Sequence, residues 1–161
     1  MSGTDKVRIW PARAKEVRFT DLLGSIITKI ENIKDKALVF YVENEYGNDK
    51  EDEIFYMSHS QECCEDVYIE SITGDIDDLI GLPILRAAEA VSIMELSQEK
   101  IEALDSETDN HEKMLWTFYK LSTIKGYVDI RWQGNSNGYY SVSVDFVRIT
   151  PEELESVINN D

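Results

Sequence analysis

One statement is made twice in this chain, and that repetition constrains its fold more than any other feature. "DLLGSIITKI" (Asp21–Ile30) and "DLIGLPILRA" (Asp78–Ala87) share Asp, Leu, Gly and an apolar residue three positions after the glycine, at a spacing of 57. Each copy runs on into an apolar strand text, "ALVFYVENEYG" in the first and "LWTFYKLSTIKG" in the second, then through a turn into further strands. A supersecondary unit that recurs cannot cover its own apolar face, and its copy is the natural cover. The repeat extends to a corner. "HSQECCE" (His59–Glu65) lies over "NSNGYYS" (Asn135–Ser141) at a spacing of 76, with Cys63 and Cys64 over Tyr139 and Tyr140. The growth in spacing locates about twenty extra residues in the second copy, the acidic "MELSQEKIEALDSETDNHEK" (Met94–Lys113), read as a short helix from Ser97 or as a loop.

Runs rich in β-branched and aromatic residues predict strands over Ile26–Ile30, Ala37–Glu43, Glu53–Met57, Asp66–Ile72, Ile84–Val91, Leu115–Leu121, Gly126–Gln133 and Tyr140–Ile149. "YVDIRWQ" (Tyr127–Gln133) alternates, with Val128, Ile130 and Trp132 on one face and Asp129, Arg131 and Gln133 on the other. The close, "TPEELESVINND", predicts a helix. Thr150 is its N-cap, Pro151 its first position and Glu153 the partner in a capping box, and Leu154, Val157 and Ile158 face a sheet. The fold class is α+β: a mainly antiparallel β-sheet built from two similar halves, with a short C-terminal helix. It is expected as one domain, with a basic arm (1–19), first half (20–75), second half (76–150) containing the insertion (94–113), and helix (151–161). A partly closed barrel and two packed sheets both satisfy the pattern.

The net charge is −16 over 161 residues. Such a field repels nucleic-acid phosphates and anionic membranes, so direct nucleic-acid binding is not expected. It suits a partner with a basic surface, an acidic nucleic-acid mimic, or simple solubility. Residues 1–19 are the exception at +3, with Val7, Ile9, Trp10 and Val17 available for burial, and the arm is expected to lie on the acidic body. No apolar run has membrane-spanning length and no signal core opens the chain, which points to the cytoplasm.

The cysteine pair invites a metal or a nucleophile. Adjacent cysteines on a strand point to opposite faces, and His111, the other histidine, lies in the insertion, so no metal and no cofactor is expected. Glu62, Glu65 and Asp66 surround the thiols with negative charge and disfavour a thiolate; a buried, inert cysteine fits better. No phosphate-binding glycine loop or nucleophile elbow occurs, and no residue is assigned a catalytic role. The candidate ligand-binding residues are those of the two corners: His59, Gln61, Cys63 and Glu65 in the first, and Arg131, Trp132, Asn135, Ser136, Asn137, Tyr139 and Tyr140 in the second. Aromatic rings with polar tips, amides and a guanidinium can read planar or anionic groups.

The words "HSQECCEDVYIESITGDIDDLIGLPIL" and "WTFYKLSTIKGYVDIRWQGNSNGYYS" resemble a family of small domains of unknown function from tailed phages and prophage-bearing bacteria, over about Leu22 to Phe146. The resemblance implies a phage or prophage setting, hence the host cytoplasm, and carries no activity or catalytic residue. The function expected is that of a non-enzymatic accessory protein that binds a host or viral protein, with anti-defence or host takeover as its purpose. The alternatives are binding or turnover of a nucleotide-like ligand between the halves, and nucleic-acid mimicry.

Overall fold

The computed structural model describes residues 15–44, 52–95, 113–137 and 140–159. The strands are β1 (Lys15–Glu16), β2 (Ile27–Ile33), β3 (Ala37–Val42), β4 (Glu53–Ser58), β5 (Asp66–Thr73), β6 (Arg86–Glu95), β7 (Lys113–Thr123), β8 (Gly126–Ser136) and β9 (Asp145–Ile149), followed by helix α1 (Pro151–Asn159). Two 3₁₀ helices, Phe19–Leu22 and Ile76–Leu79, open the two halves. Among the described residues no helix is long and apolar enough to cross a membrane.

The strands form two antiparallel sheets, ordered β1-β9-β4-β3-β2 and β5-β8-β7-β6. Each half supplies a three-stranded meander and gives its fourth strand away. β5 leaves the first half to pair with β8, from Asp66↔Asn135 to Thr73↔Asp129. β9 leaves the second half to pair with β4, from Ser58↔Asp145 to Ile54↔Ile149. The repeat is thus an exchange of strands about a pseudo-twofold axis. The axis passes between Ile26 and Pro83, equivalent residues that bridge each other. Around it the backbone bonds come in matched pairs. Gly24 N–H donates to the Ile84 carbonyl at 2.8 Å, and Gly81 N–H to the Ile27 carbonyl at 2.9 Å. Both glycines have left-handed φ, +80° and +84°, a region that a side chain makes costly. That is why the repeat is legible as a Gly at fixed distance from its Asp and Leu. Leu22 and Leu79 beside them are fully buried.

The main core lies between the sheets. Leu38, Phe40, Phe55 and Met57 of the five-stranded sheet meet Val67, Ile69, Tyr119, Leu121, Val128, Ile130 and Trp132 of the other. Phe19, from the segment following β1, packs its ring 4.7 Å from Tyr119 and 5.4 Å from Phe146. The five-stranded sheet is covered on its second face as well. There Ala37, Val39, Ile54, Tyr56, Val147 and Ile149 pack against Leu154 and Val157 of α1. This double cover explains why β3 reads as an unbroken apolar run while β8 alternates. The capping box forms as predicted: Glu153 N–H donates to Thr150 Oγ1 at 3.2 Å and Thr150 N–H to Glu153 Oε1 at 3.1 Å.

Several boundaries differ from expectation. β6 extends to Glu95 and β7 begins at Lys113, taking in both ends of the predicted insertion, because the ladder from Arg86↔Ser122 to Glu95↔Lys113 continues without needing apolar side chains. The last strand begins at Asp145, not Tyr140, since 141–144 form the crossing between sheets. Lys15 and Glu16 of the basic arm pair with Arg148 and Val147 as an unpredicted edge strand. Ile158 is exposed, so α1 docks through Leu154 and Val157 without it. Val7, Ile9, Trp10, the helix from Ser97 and His111 lie outside the described residues.

Candidate functional site

The two corners are the two crossings between sheets. The first runs from β4 to β5, the second from β8 to β9, and they lie side by side at one end of the molecule. The pairing of Asp66 with Asn135 joins their strands. The ladder equates Ser58 with Asn135, since these face Asp145 and Asp66 respectively. His59 therefore stands over Ser136, one residue away from the match by words; in strands a one-residue shift exchanges the faces.

The first corner is organised by one carboxylate. Glu65 is 4% exposed. Its Oε2 accepts from the N–H of Glu62 and its Oε1 from the N–H of Cys63, both at 2.8 Å, and Oε2 meets His59 Nε2 at 2.8 Å. His59 Nδ1 lies 2.7 Å from the carbonyl of Ser143 in the second crossing. Burial alone raises the Glu65 carboxyl. The hydrogen bonds from His59 and from the N–H groups of Glu62 and Cys63 outweigh burial and bring it down to about 2. Both nitrogens of His59 thus face oxygen atoms, Nδ1 the Ser143 carbonyl and Nε2 the Glu65 carboxylate. The pair ties the crossings together. Both ring nitrogens are engaged within the protein. Gln61 completes the loop, donating to the Cys63 carbonyl at 3.2 Å and the Glu65 carbonyl at 2.5 Å.

Cys63 and Cys64 are on the loop, not on a strand, and both are exposed; the expectation that one faces the core is corrected. They form a disulfide with each other, so neither is the free thiol expected. The reason is local: β5 begins only at Asp66, and Glu65, not a cysteine, fills the buried position.

The remaining candidates separate. Trp132 is in the core, 1% exposed, its Nε1–H donating to Met57 Sδ at 3.3 Å. Arg131 points to the opposite face of the four-stranded sheet. Its Nε lies 2.5 Å from Glu70 Oε2 and its guanidinium carbon 5.1 Å from the centre of the Trp116 ring. Arg131 holds the Glu70 carboxyl below its ordinary value. Asn135 and Ser136 are half-buried at the end of β8, Asn137 is exposed, Tyr140 is half-buried, and Tyr139 lies outside the described residues.

Apart from Arg131, the candidate residues leave most of that outer face out. Trp116 and Phe118 of β7, Met114 beside them and Tyr68 of β5 are half-buried there, although α1 and the other sheet lie elsewhere. Tyr68 donates to Gln133 Oε1 at 2.6 Å, and Gln133 Nε2 to Met114 Sδ at 3.6 Å. At the far end Tyr127 and Leu85, each 62% exposed, and Ile124, 81% exposed, add apolar area. The alternation Leu115–Trp116–Thr117–Phe118–Tyr119 carried the signal: aromatic residues stand where a solvated face normally has polar ones.

Neither the curated proteins nor the solved structures give a match to this chain. One family model does match, over residues 20–146, and covers both halves, both crossings and the open sheet face. The chain belongs to the family described as "Domain of unknown function (DUF7448)".

Proposed function

We propose that this is a non-enzymatic accessory protein that binds a host or viral protein through the outer face of its four-stranded sheet. The observation that carries the reading is an asymmetry. The equivalent face of the other sheet is covered by α1, whereas this one holds Trp116, Phe118, Tyr68 and Arg131 with no covering element among the described residues. Sheet faces bearing aromatic and arginine side chains that also hold one another in place supply rigid contact area at small entropic cost. The phage or prophage setting, and with it the host cytoplasm, rests on the word resemblance. Anti-defence or host takeover is the purpose that fits it. The charge of −16 favours a partner with a basic surface elsewhere at the contact.

The test is capture from bacterial lysate on the immobilised full chain, compared with Trp116→Ser and Phe118→Ser. Both residues point away from the core, so folding is retained and can be checked by circular dichroism. A protein held by the wild type and released by both variants supports the reading. Equal capture by all three, or none by the wild type, refutes it.

A further inference from the structure

A cavity of about 470 Å³ opens on the outer face of the four-stranded sheet, at the end away from the crossings. It is lined by Arg86, Lys120, Leu121, Ser122, Tyr127 and Asp129. The register explains how these meet. Arg86, Ser122 and Tyr127 form one rung across β6, β7 and β8, and Ala88, Lys120 and Asp129 form the next. Ala87, Leu121 and Val128, between the rungs, are buried, so the two rungs project outward. Arg86 and Lys120 are diagonal neighbours across an antiparallel pair, within reach of one ligand group. Ala88 presents only a methyl group beside them.

Acids outnumber bases 32 to 16, and Arg18, Lys29, Lys36, Arg131 and Arg148 each have a carboxylate partner. Arg86 and Lys120, like Lys15, Lys34 and Lys125, have no ion pair among the described residues; what sets these two apart is that both line the same cavity. The Tyr127 ring, 62% exposed, forms a wall beside them, and Ser122 and Asp129 add a hydroxyl and an acceptor.

We infer that this cleft binds a small phosphorylated ligand carrying a planar ring, of the nucleotide class. Arg86 and Lys120 contact the phosphate, Tyr127 stacks on the ring, and Asp129 and Ser122 bond its polar edge. The volume suits a small-molecule site. The acidic body does not forbid it, because charges more than about 8 Å away are largely screened at physiological salt while the two contacting cations are not. The inference is independent of the protein-binding reading, which rests on Trp116 and Phe118, and either can fail alone.

The test is an amide-shift titration of the full chain with three probes: ADP, pyrophosphate and adenosine. ADP is expected to shift the amides of Arg86, Lys120, Ser122 and Tyr127, and to bind more tightly than pyrophosphate or adenosine. Arg86→Ala and Lys120→Ala, both at exposed positions, each weaken ADP and pyrophosphate about tenfold. Tyr127→Ala weakens ADP but leaves pyrophosphate unchanged, which separates the ring contact from the anion contact. No shift at these amides with millimolar ADP overturns the inference. So does binding that survives the Arg86→Ala/Lys120→Ala double variant, or pyrophosphate binding as tightly as ADP.

Discussion

Replacing Glu65 by glutamine keeps the shape of the side chain and removes its charge, and the three donors around it, His59 Nε2 and the N–H groups of Glu62 and Cys63, register the loss. In the folded protein the carboxyl is held at about 2, against an ordinary value of 4.5. One pKa unit corresponds to about 1.4 kcal/mol, so the ionised form gains on the order of 3 kcal/mol from its folded surroundings. A carboxyl depressed on folding contributes that stability in full above the unfolded value. The contribution is lost as pH falls from about 5 towards 2. At pH 7 Glu65→Gln is therefore expected to destabilise by about 3 kcal/mol, a fall in Tm of about 6–12 °C for a chain of this size. As the wild-type carboxyl protonates, the difference closes, and the two proteins converge near pH 2. Urea unfolding followed by the fluorescence of buried Trp132 measures both at pH 7, 5, 4 and 3. The comparison must be between proteins, because the other carboxylates titrate in the same range and relieve the net charge of −16 as they do so. A difference that stays constant from pH 7 to pH 3 would mean that the amide merely fits badly. The charge-based account of the corner would then be wrong.

Other variants probe the frame around that corner. Gly74 has φ +103°, and a Cβ there would collide with the Tyr127 carbonyl, so Gly74→Ala should cost about 3 kcal/mol in chemical denaturation, well beyond a surface change. Thr150→Ala removes one arm of the capping box and should cost about 1 kcal/mol, with loss of helical signal from α1 in circular dichroism. The buried Tyr119 hydroxyl faces the Glu89 carboxyl, which burial raises above its ordinary value, and Tyr119→Phe should lower the urea midpoint by the equivalent of about 1 kcal/mol. Cys63→Ser/Cys64→Ser should stay within about 1 kcal/mol of wild type, since a bond between neighbours closes almost no loop in the unfolded chain. Unfolding with and without reductant checks the same point.

The sequence was informative where a residue type answers a backbone requirement. Gly24 and Gly81 had to be glycines to take left-handed φ, so the repeat survived as words. Thr150, Pro151 and Glu153 are chosen by the first turn of α1, and the start of the helix was readable to the residue. Strand ends were less legible, because β6, β7 and β8 are extended by backbone pairing that does not select side chains. Partner choice between strands was not legible at all. Nothing local to "DVYIESIT" says that it pairs with β8 in preference to β4; the exchange is settled by which sheet each crossing enters. The corner shows the same limit. His59 and Glu65 were candidates for binding because of what they are, and their bond to each other, with Ser143 behind, depends on chain segments that meet only in three dimensions.

The pseudo-symmetry also indicates which differences between the halves carry meaning. With Ser58 equated to Asn135, β3 and β7 hold equivalent places, as do β4 and β8. Val39 then corresponds to Trp116, Tyr41 to Phe118, Ile54 to Arg131 and Tyr56 to Gln133. Every member of the first set belongs to the face that α1 covers, and every member of the second to the face that it does not. The covered side uses aliphatic and tyrosine side chains with no formal charge. The open side uses larger rings and a guanidinium held over one of them. Solvent exposure alone would favour small polar residues at those positions. Trp116 and Phe118 instead keep the apolar area of a covered face, and Arg131 and Gln133 add groups with directional bonds. At the axis the halves preserve each other, down to paired bonds at Gly24 and Gly81. Away from it they diverge on both faces, with Phe40 corresponding to Thr117 and Met57 to Gly134 inside. That departure toward aromatic and arginine side chains is the reason the proposed partner contact is placed on this face, and Trp116→Ser and Phe118→Ser are the variants that test it.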